Sequence, residues 1–267
     1  GRGFVRVRQE LLPVLEFFEF WRMLPVGVVI ASVAMFFGLG GGVLWMPVLL
    51  MSTDLDPKDA VVCTIVIQFF GQLSASYSNN RAGLIDWRLV QLMITFGIPA
   101  VISGVLLSFF LHPVWIELFL GLTIFFIAYV FLRGDDFFVT GSEKADLNAA
   151  RQGRHITLLG SVLTGFLGIG VGDWLVPFFN MRCKLAMVRS VATSIALMMI
   201  LSLTALSVHI LFGRTVEWRV ALPGTVGVLI GAQVGSQLLR RVPETHFKEF
   251  FVLMLVFIAT HVTFNAL

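Results

Sequence analysis

A cluster of glycines, Gly38-Leu39-Gly40-Gly41-Gly42, interrupts an apolar run and is followed by Pro47, and 130 positions later the chain repeats it as Gly168-Ile169-Gly170-Val171-Gly172 with Pro177. Residues without a Cβ loosen or break a helix. The surroundings make that break costly. Over 267 residues, 57% of side chains are apolar and mean hydropathy is +0.91, more than a soluble domain could hide. In hydrocarbon an irregular backbone is tolerated only where protein or a polar cavity covers it. Two matching breaks therefore point to a function at membrane depth.

Eight apolar stretches, 23–51, 60–78, 87–111, 114–132, 156–179, 186–212, 220–239 and 247–267, are each near the length of a bilayer crossing. The expectation is an all-α polytopic membrane protein forming one membrane domain over 1–267. No signal peptide follows Gly1-Arg2-Gly3, so targeting is expected to rest on the first span. Residues 4–22 mix arginines, acids and phenylalanines and read as an interfacial amphipathic helix on the cytoplasmic face.

The repeat is residue by residue. At an offset of 130, Val61, Thr64 and Ile65 fall on Val191, Ser194 and Ile195, and Gly83 falls on Gly213. After one insertion, Asp86-Trp87-Arg88 falls on Glu217-Trp218-Arg219. The charged segment 133–154 separates the copies, giving a first half at 23–132, a cytoplasmic linker at 133–154 and a second half at 155–267.

Lys and Arg concentrate on the cytoplasmic side of short loops. If all eight stretches cross, 12 of the 19 basic residues lie inside; if stretch 156–179 dips in and returns, 16 do. The second arrangement inverts one half relative to the other, with seven or eight transmembrane or re-entrant segments. Symmetry would make 23–51 re-entrant too, against the arginines preceding it, so the sequence leaves its path open.

The modest net charge of +3 comes with no basic helix, so no nucleic-acid partner is expected. Cys63 and Cys183 have neither CxxC spacing nor a disulfide pattern. No metal or cofactor is expected. The expected partners are a small anionic substrate and the lipid bilayer, with a homodimer left open.

Polar residues within apolar stretches are costly unless they face protein, water or substrate. In the first half these are Cys63, Thr64, Gln68, Gln72, Ser74, Ser76 and Asn79; in the second, Thr193, Ser194, Ser202, Thr204, Ser207 and His209. Helix packing explains small polar residues equally well. The functional alternative has them converge with the amide groups of the broken helices, since free N–H donors at a helix N-terminus suit an anion. The candidate binding residues are Gly38, Gly40, Gly41, Gly42, Cys63, Thr64, Gln68, Gly168, Gly170, Gly172, Thr193 and Ser194. Asp173 and His209 are candidates for proton coupling. Asp173 has the competing reading of a helix cap, and His209 that of a packing residue.

A glycine-rich segment followed by Pro, then Ala192-Thr193-Ser194, and Gly83 leading into Asp86-Trp87-Arg88, with most of these pieces written twice, resembles the TauE/SafE sulfite exporter family of membrane permeases. The resemblance runs from about residue 23 to the end. It implies a secondary carrier that exports sulfite or a small organosulfonate across a bacterial or archaeal cytoplasmic membrane, with the substrate near the midplane between the glycine-broken helices. The second cluster departs from the pattern by carrying Val171 and Asp173. An anion channel is the alternative. A membrane-embedded enzyme is disfavoured, because no HExxH or paired intramembrane acids occur, although Asp173, Ser194 and His209 do follow one another.

Overall fold

The computed structural model describes residues 21–133, 141–170 and 172–241. The amphipathic segment 4–22, apart from its last two residues, and the apolar stretch 247–267 lie outside the described residues, as does 134–140 of the linker. Among the described residues ten helices follow one another: α1 (Met23–Phe37), α2 (Gly42–Ser52), α3 (Pro57–Arg81), α4 (Trp87–Phe110), α5 (Pro113–Arg133), α6 (Leu147–Gln152), α7 (Arg154–Leu167), α8 (Gly172–Met181), α9 (Met187–Leu211) and α10 (Trp218–Leu238). No strand is present among the described residues, and Ser142 and Leu185 form an isolated parallel bridge. The protein is an all-α polytopic membrane protein. Helices α3, α4 and α9 are each long and apolar enough to cross a bilayer.

Local chemistry sets the helix starts. Asp56 accepts a hydrogen bond from the Lys58 amide with Pro57 at the first helical position, and Asp86 accepts from the amides of Arg88 and Leu89. The glycines set two of the ends. Gly38 (φ +74°) and Gly168 (φ +69°) both take the left-handed conformation, closing α1 on the Ala34 carbonyl and α7 on the Thr164 carbonyl. The sequence repeat thus reappears as matched backbone geometry. Gly83 and Gly213, in the turns after α3 and α9, match in the same way.

Contacts between elements fix the direction of each helix. Cys63, near the start of α3, reaches the Glu217 carbonyl that precedes α10, while Arg240, just past the end of α10, reaches Ser78 near the end of α3. These two helices are therefore parallel. Gly227, Gly231 and Gly235 of α10 meet the carbonyls of Leu24, Val28 and Ser32 in turn, so α1 is parallel to both. A second parallel set consists of α4, α7 and α9. Thr157 of α7 meets Met93 of α4 and Gly165 meets the Val101 carbonyl, while the amide of Asp86 ahead of α4 donates to Thr193 near the start of α9. The two sets run in opposite directions. Arg214, after α9, pairs with Asp59 in the first turn of α3, and Arg189, in the first turn of α9, donates to the Gly83 carbonyl after α3.

This geometry answers the question left open for residues 23–51. Helix α1 starts at the same end of the bundle as α3, and α2 leads back to it, so the two form a re-entrant hairpin. With 15 and 11 residues, neither helix is long enough to cross about 30 Å of hydrocarbon alone. The pair α7 and α8, with 14 and 10 residues, enters from the opposite end. Arg22 therefore lies at the end of the bundle opposite Arg81, Arg88 and the linker, which corrects the expectation that segment 4–22 and the linker 133–154 share the cytoplasmic face. Arg81, Arg88, Lys144, Arg151, Arg154, Arg182, Lys184, Arg189, Arg240 and Arg241 gather at one end, and Lys58, Arg214 and Arg219 join Arg22 at the other.

Each half lends one long helix to the other half's hairpin: α10 packs along α1, and α4 along α7. Small residues allow this approach. A Cβ on Gly231 would come within 2.2 Å of the Val28 carbonyl oxygen, and one on Gly104 within 2.1 Å of the Val162 carbonyl oxygen. The outer surface is apolar, with Phe110 85% and Leu211 81% exposed, and Trp87 and Trp218 open α4 and α10 at opposite ends, as interfacial tryptophans do.

Candidate functional site

The two glycine breaks meet at the centre of the bundle. A Cβ on Gly40 would lie 2.4 Å from the Gly170 Cα, one on Gly42 2.0 Å from the Gly168 carbonyl oxygen, and one on Gly172 2.3 Å from the Gly38 carbonyl oxygen. The contacts are reciprocal, as two copies related by a twofold axis require. Because the loops touch at Gly40 and Gly170, no substrate lies between these two residues. The long helices α3 and α9 run beside this contact.

On α3, Thr64, Gln68, Gln72, Ser76 and Asn79 recur every three or four positions on one buried face. The antiparallel α9 packs against α3 and carries buried Ser194, Met198, Ser202 and His209. Gln68 Nε2 donates to the Gly168 carbonyl at 3.0 Å, and Gln72 Nε2 donates to the Gly40 carbonyl at 3.1 Å. One helix of the first half thus holds both loops. In the second half the position equivalent to Gln68 is Met198, whose Sδ accepts from the Gly172 amide at 3.1 Å. It also lies against Gly40 and Gly170. The offset of 130 carries Gln72 onto Ser202.

This interior holds polar atoms without a hydrogen-bond partner among the described residues. They include Gln68 Oε1, Gln72 Oε1, both side-chain polar atoms of Asn79, and the hydroxyls of Ser76, Ser194 and Ser202. An unpaired polar atom in a buried setting costs roughly 1–3 kcal/mol. Several of them along one helix pair make a surface suited to a polar ligand. The amide orientations follow from chemistry, since only the –NH2 end of Gln68 and Gln72 can donate to a carbonyl. That leaves two acceptors and several hydroxyls facing the interior.

The remaining expected residues fall in different places. Thr64 lies on the same face of α3, with its hydroxyl 3.7 Å from Met46 Sδ. Cys63 is bonded to the Glu217 carbonyl and Thr193 to the Asp86 amide, so this aligned pair ties long helices to the other half's loops at opposite ends of the bundle. Gly41 (φ +84°) opens α2. The backbone of Asp173 lies in the first turn of α8, and its side chain lies outside the described part. His209 is buried, with Nε2 3.3 Å from the Gly165 carbonyl oxygen and its ring 6.0 Å from Phe109. Ser194 and His209 are 15 positions apart on one straight helix, about 22 Å, so they form no catalytic pair. The tight roles of Gln72 and Met198 were not among the sequence's binding candidates. The signal was present in the four-residue spacing from Thr64 and in the repeat offset.

Two hairpins that enter from opposite ends and meet at the centre, enclosed by antiparallel long helices, define a polytopic membrane protein built from inverted halves. The chain belongs to the TauE/SafE sulfite exporter family, whose model matches residues 23–262. A protein described as a probable membrane transporter in Methanocaldococcus jannaschii is 23% identical, the alignment covering 86% of this chain and 92% of that one. A probable membrane transporter of Bacillus subtilis is 22% identical over 82% and 88% of the two chains. No solved structure matches the chain significantly.

Proposed function

We propose that this membrane transporter is a secondary carrier for a small sulfur-containing anion, sulfite or a short organosulfonate, and that it exports it across the cytoplasmic membrane with the basic end of the bundle inside. The family description supports the substrate class. The observation that carries the site is the row of unpaired polar atoms on α3 and α9 beside the touching loops. The anion passes the hydroxyls of Ser194 and Ser202, eight positions and about 12 Å apart along α9, and comes within reach of amides at the start of a half-helix. Gln68 Oε1 and Gln72 Oε1, being acceptors, favour an anion that still carries a proton or brings a bound water. Because the cost of removing an ion from water rises steeply with its charge and no Lys or Arg is fully buried among the described residues, the site favours a monoanion.

Transport follows from the symmetry. Two hairpins of near-equal build, one from each side, allow exchange of their roles, so that the central site opens first to one face and then to the other. Counterflow of sulfite, or of a sulfonate such as methanesulfonate, in proteoliposomes tests this reading. Movement at single-channel rates would instead assign an anion channel, and movement of neither anion would reject the substrate class.

A further inference from the structure

At the basic end, away from the central loops, the structure contains a cavity of about 350 Å³, within the size range of small-ligand sites. Three separate segments wall it: Asp86 to Arg88 at the start of α4, Glu143 to Ala145 of the linker, and Arg189 in the first turn of α9. The linker segment is held in place. Ser142 donates its amide to the Lys184 carbonyl and receives the Ala186 amide, and Asp146 donates its amide to the Cys183 carbonyl.

The charges of the cavity do not cancel. Asp86 already accepts three backbone amides, from Arg88 and Leu89 at one oxygen and from Ala145 at the other. Its carboxylate is thereby committed to the chain. Arg189 uses Nη1 on the Gly83 carbonyl, and its Nε is buried without a partner. Arg88 and Lys144 are exposed, and the three cations Arg88, Lys144 and Arg189 face two acids, Asp86 and Glu143, which leaves one positive charge in excess. The repeat supplies an internal comparison. At the opposite end the counterpart of Arg189 is Asp59, which is paired with Arg214, so an acid stands where this cavity has a guanidinium.

From this we infer a second anion site, for a tetrahedral oxyanion with a phosphate- or sulfonate-like head, held by Arg88, Lys144 and Arg189 across the first half, the linker and the second half. The same head could come from a soluble anion or from the phosphodiester of an anionic lipid. A ligand seated here bridges both halves at the linker. The site is independent of the central reading, since none of its residues touches the glycine loops.

The test is thermal unfolding of the purified full chain, the wild type compared with Arg88→Gln/Lys144→Gln, both positions being exposed. Inorganic phosphate is titrated in neutral detergent at constant ionic strength, and nanodiscs of phosphatidylglycerol are compared with nanodiscs of phosphatidylcholine. Saturable stabilisation by phosphate whose midpoint rises about tenfold or more in the double variant, the loss expected on removing charge-assisted contacts, supports the site with a soluble ligand. Stabilisation by phosphatidylglycerol alone, lost in the variant, supports it with a lipid headgroup. Equal stabilisation of both proteins, an equal effect of chloride, or no response to either arm overturns it. Lys144→Glu, on the linker surface, replaces the double variant should that one not fold, with the same outcomes.

Discussion

Gly40 and Gly170 meet backbone to backbone at the centre of the bundle, so that a Cβ added to either would lie 2.4 Å from the Cα of the other. Both loops also lie against Met198. The meeting point of the two halves therefore has no spare volume for a side chain, and the inverted hairpins can come this close only because both positions are glycine.

Replacing either residue with alanine forces the hairpins apart. Overpacking of this kind costs roughly 1–3 kcal/mol in protein interiors. Gly40→Ala and Gly170→Ala are each expected to lower the melting temperature of the detergent-solubilised protein and to abolish transport, whereas alanine at Gly83, where nothing lies within 4 Å, carries only the strain of its φ of +66°. Melting curves of the three variants check this order.

Gln72→Ala removes the donor to the Gly40 carbonyl and leaves that carbonyl buried and unpaired, at a cost of roughly 1–3 kcal/mol. Gln68→Met leaves the Gly168 carbonyl unpaired in the same way, because a thioether accepts, as Met198 does from the Gly172 amide, but cannot donate. It also deletes an acceptor facing the interior, so it is expected to raise the KM for the anion several-fold. Both substitutions are therefore expected to lower the stability and raise the KM together, since each glutamine holds a loop carbonyl and also presents an unpaired acceptor. Unfolding curves and initial rates measured on the same preparations show whether they do.

The helix directions predict which sites label from which side. Single cysteines at Arg22 and Lys58 should react with an impermeant maleimide from one face of the membrane, and those at Arg88 and Lys184 from the other. Residues 22 and 58 flank the first hairpin, so labelling from opposite faces would show that 23–51 crosses the membrane after all.

Cys183 follows α8 in the turn at the basic end, and burial pushes its thiol from the usual 9.0 up to about 12. A thiol whose pKa is raised by folding favours the folded state in its protonated form. Its contribution is fully present below pH 9.0, and stability falls as the pH rises through that value towards about 12. At pH 8 Cys183 is expected to resist maleimide in the folded protein and to react once the protein is denatured, which mass spectrometry of labelled samples detects.

The glycine breaks, the repeat and the polar interior were readable in the sequence, because each depends on residue type at a fixed spacing. The left-handed Gly38 and Gly168 show the repeat directly in the backbone. What the sequence did not disclose is which helix each hairpin packs against. The pairing of α1 with α10 and of α7 with α4 depends on small residues meeting carbonyls some two hundred and some sixty positions away. No local pattern encodes that choice. Cys63 and Thr193 show the same limit, since their alignment was visible but their loop partners, Glu217 and Asp86, come from the opposite half. Charge counting found the inverted second half yet misplaced Arg22, because the hairpin's direction is set by packing rather than by its flanking arginines.

The central claim is that an anion crosses beside the touching loops, against α3 and α9. The most direct measurement is sulfite or methanesulfonate counterflow in proteoliposomes holding the wild type or Ser194→Ala/Ser202→Ala, both hydroxyls being buried and unpaired. Trans-stimulated exchange is expected of the wild type, with a loss of at least about tenfold in the double variant at unchanged melting temperature, since no existing hydrogen bond is removed. Exchange by the double variant at the wild-type rate would contradict the claim.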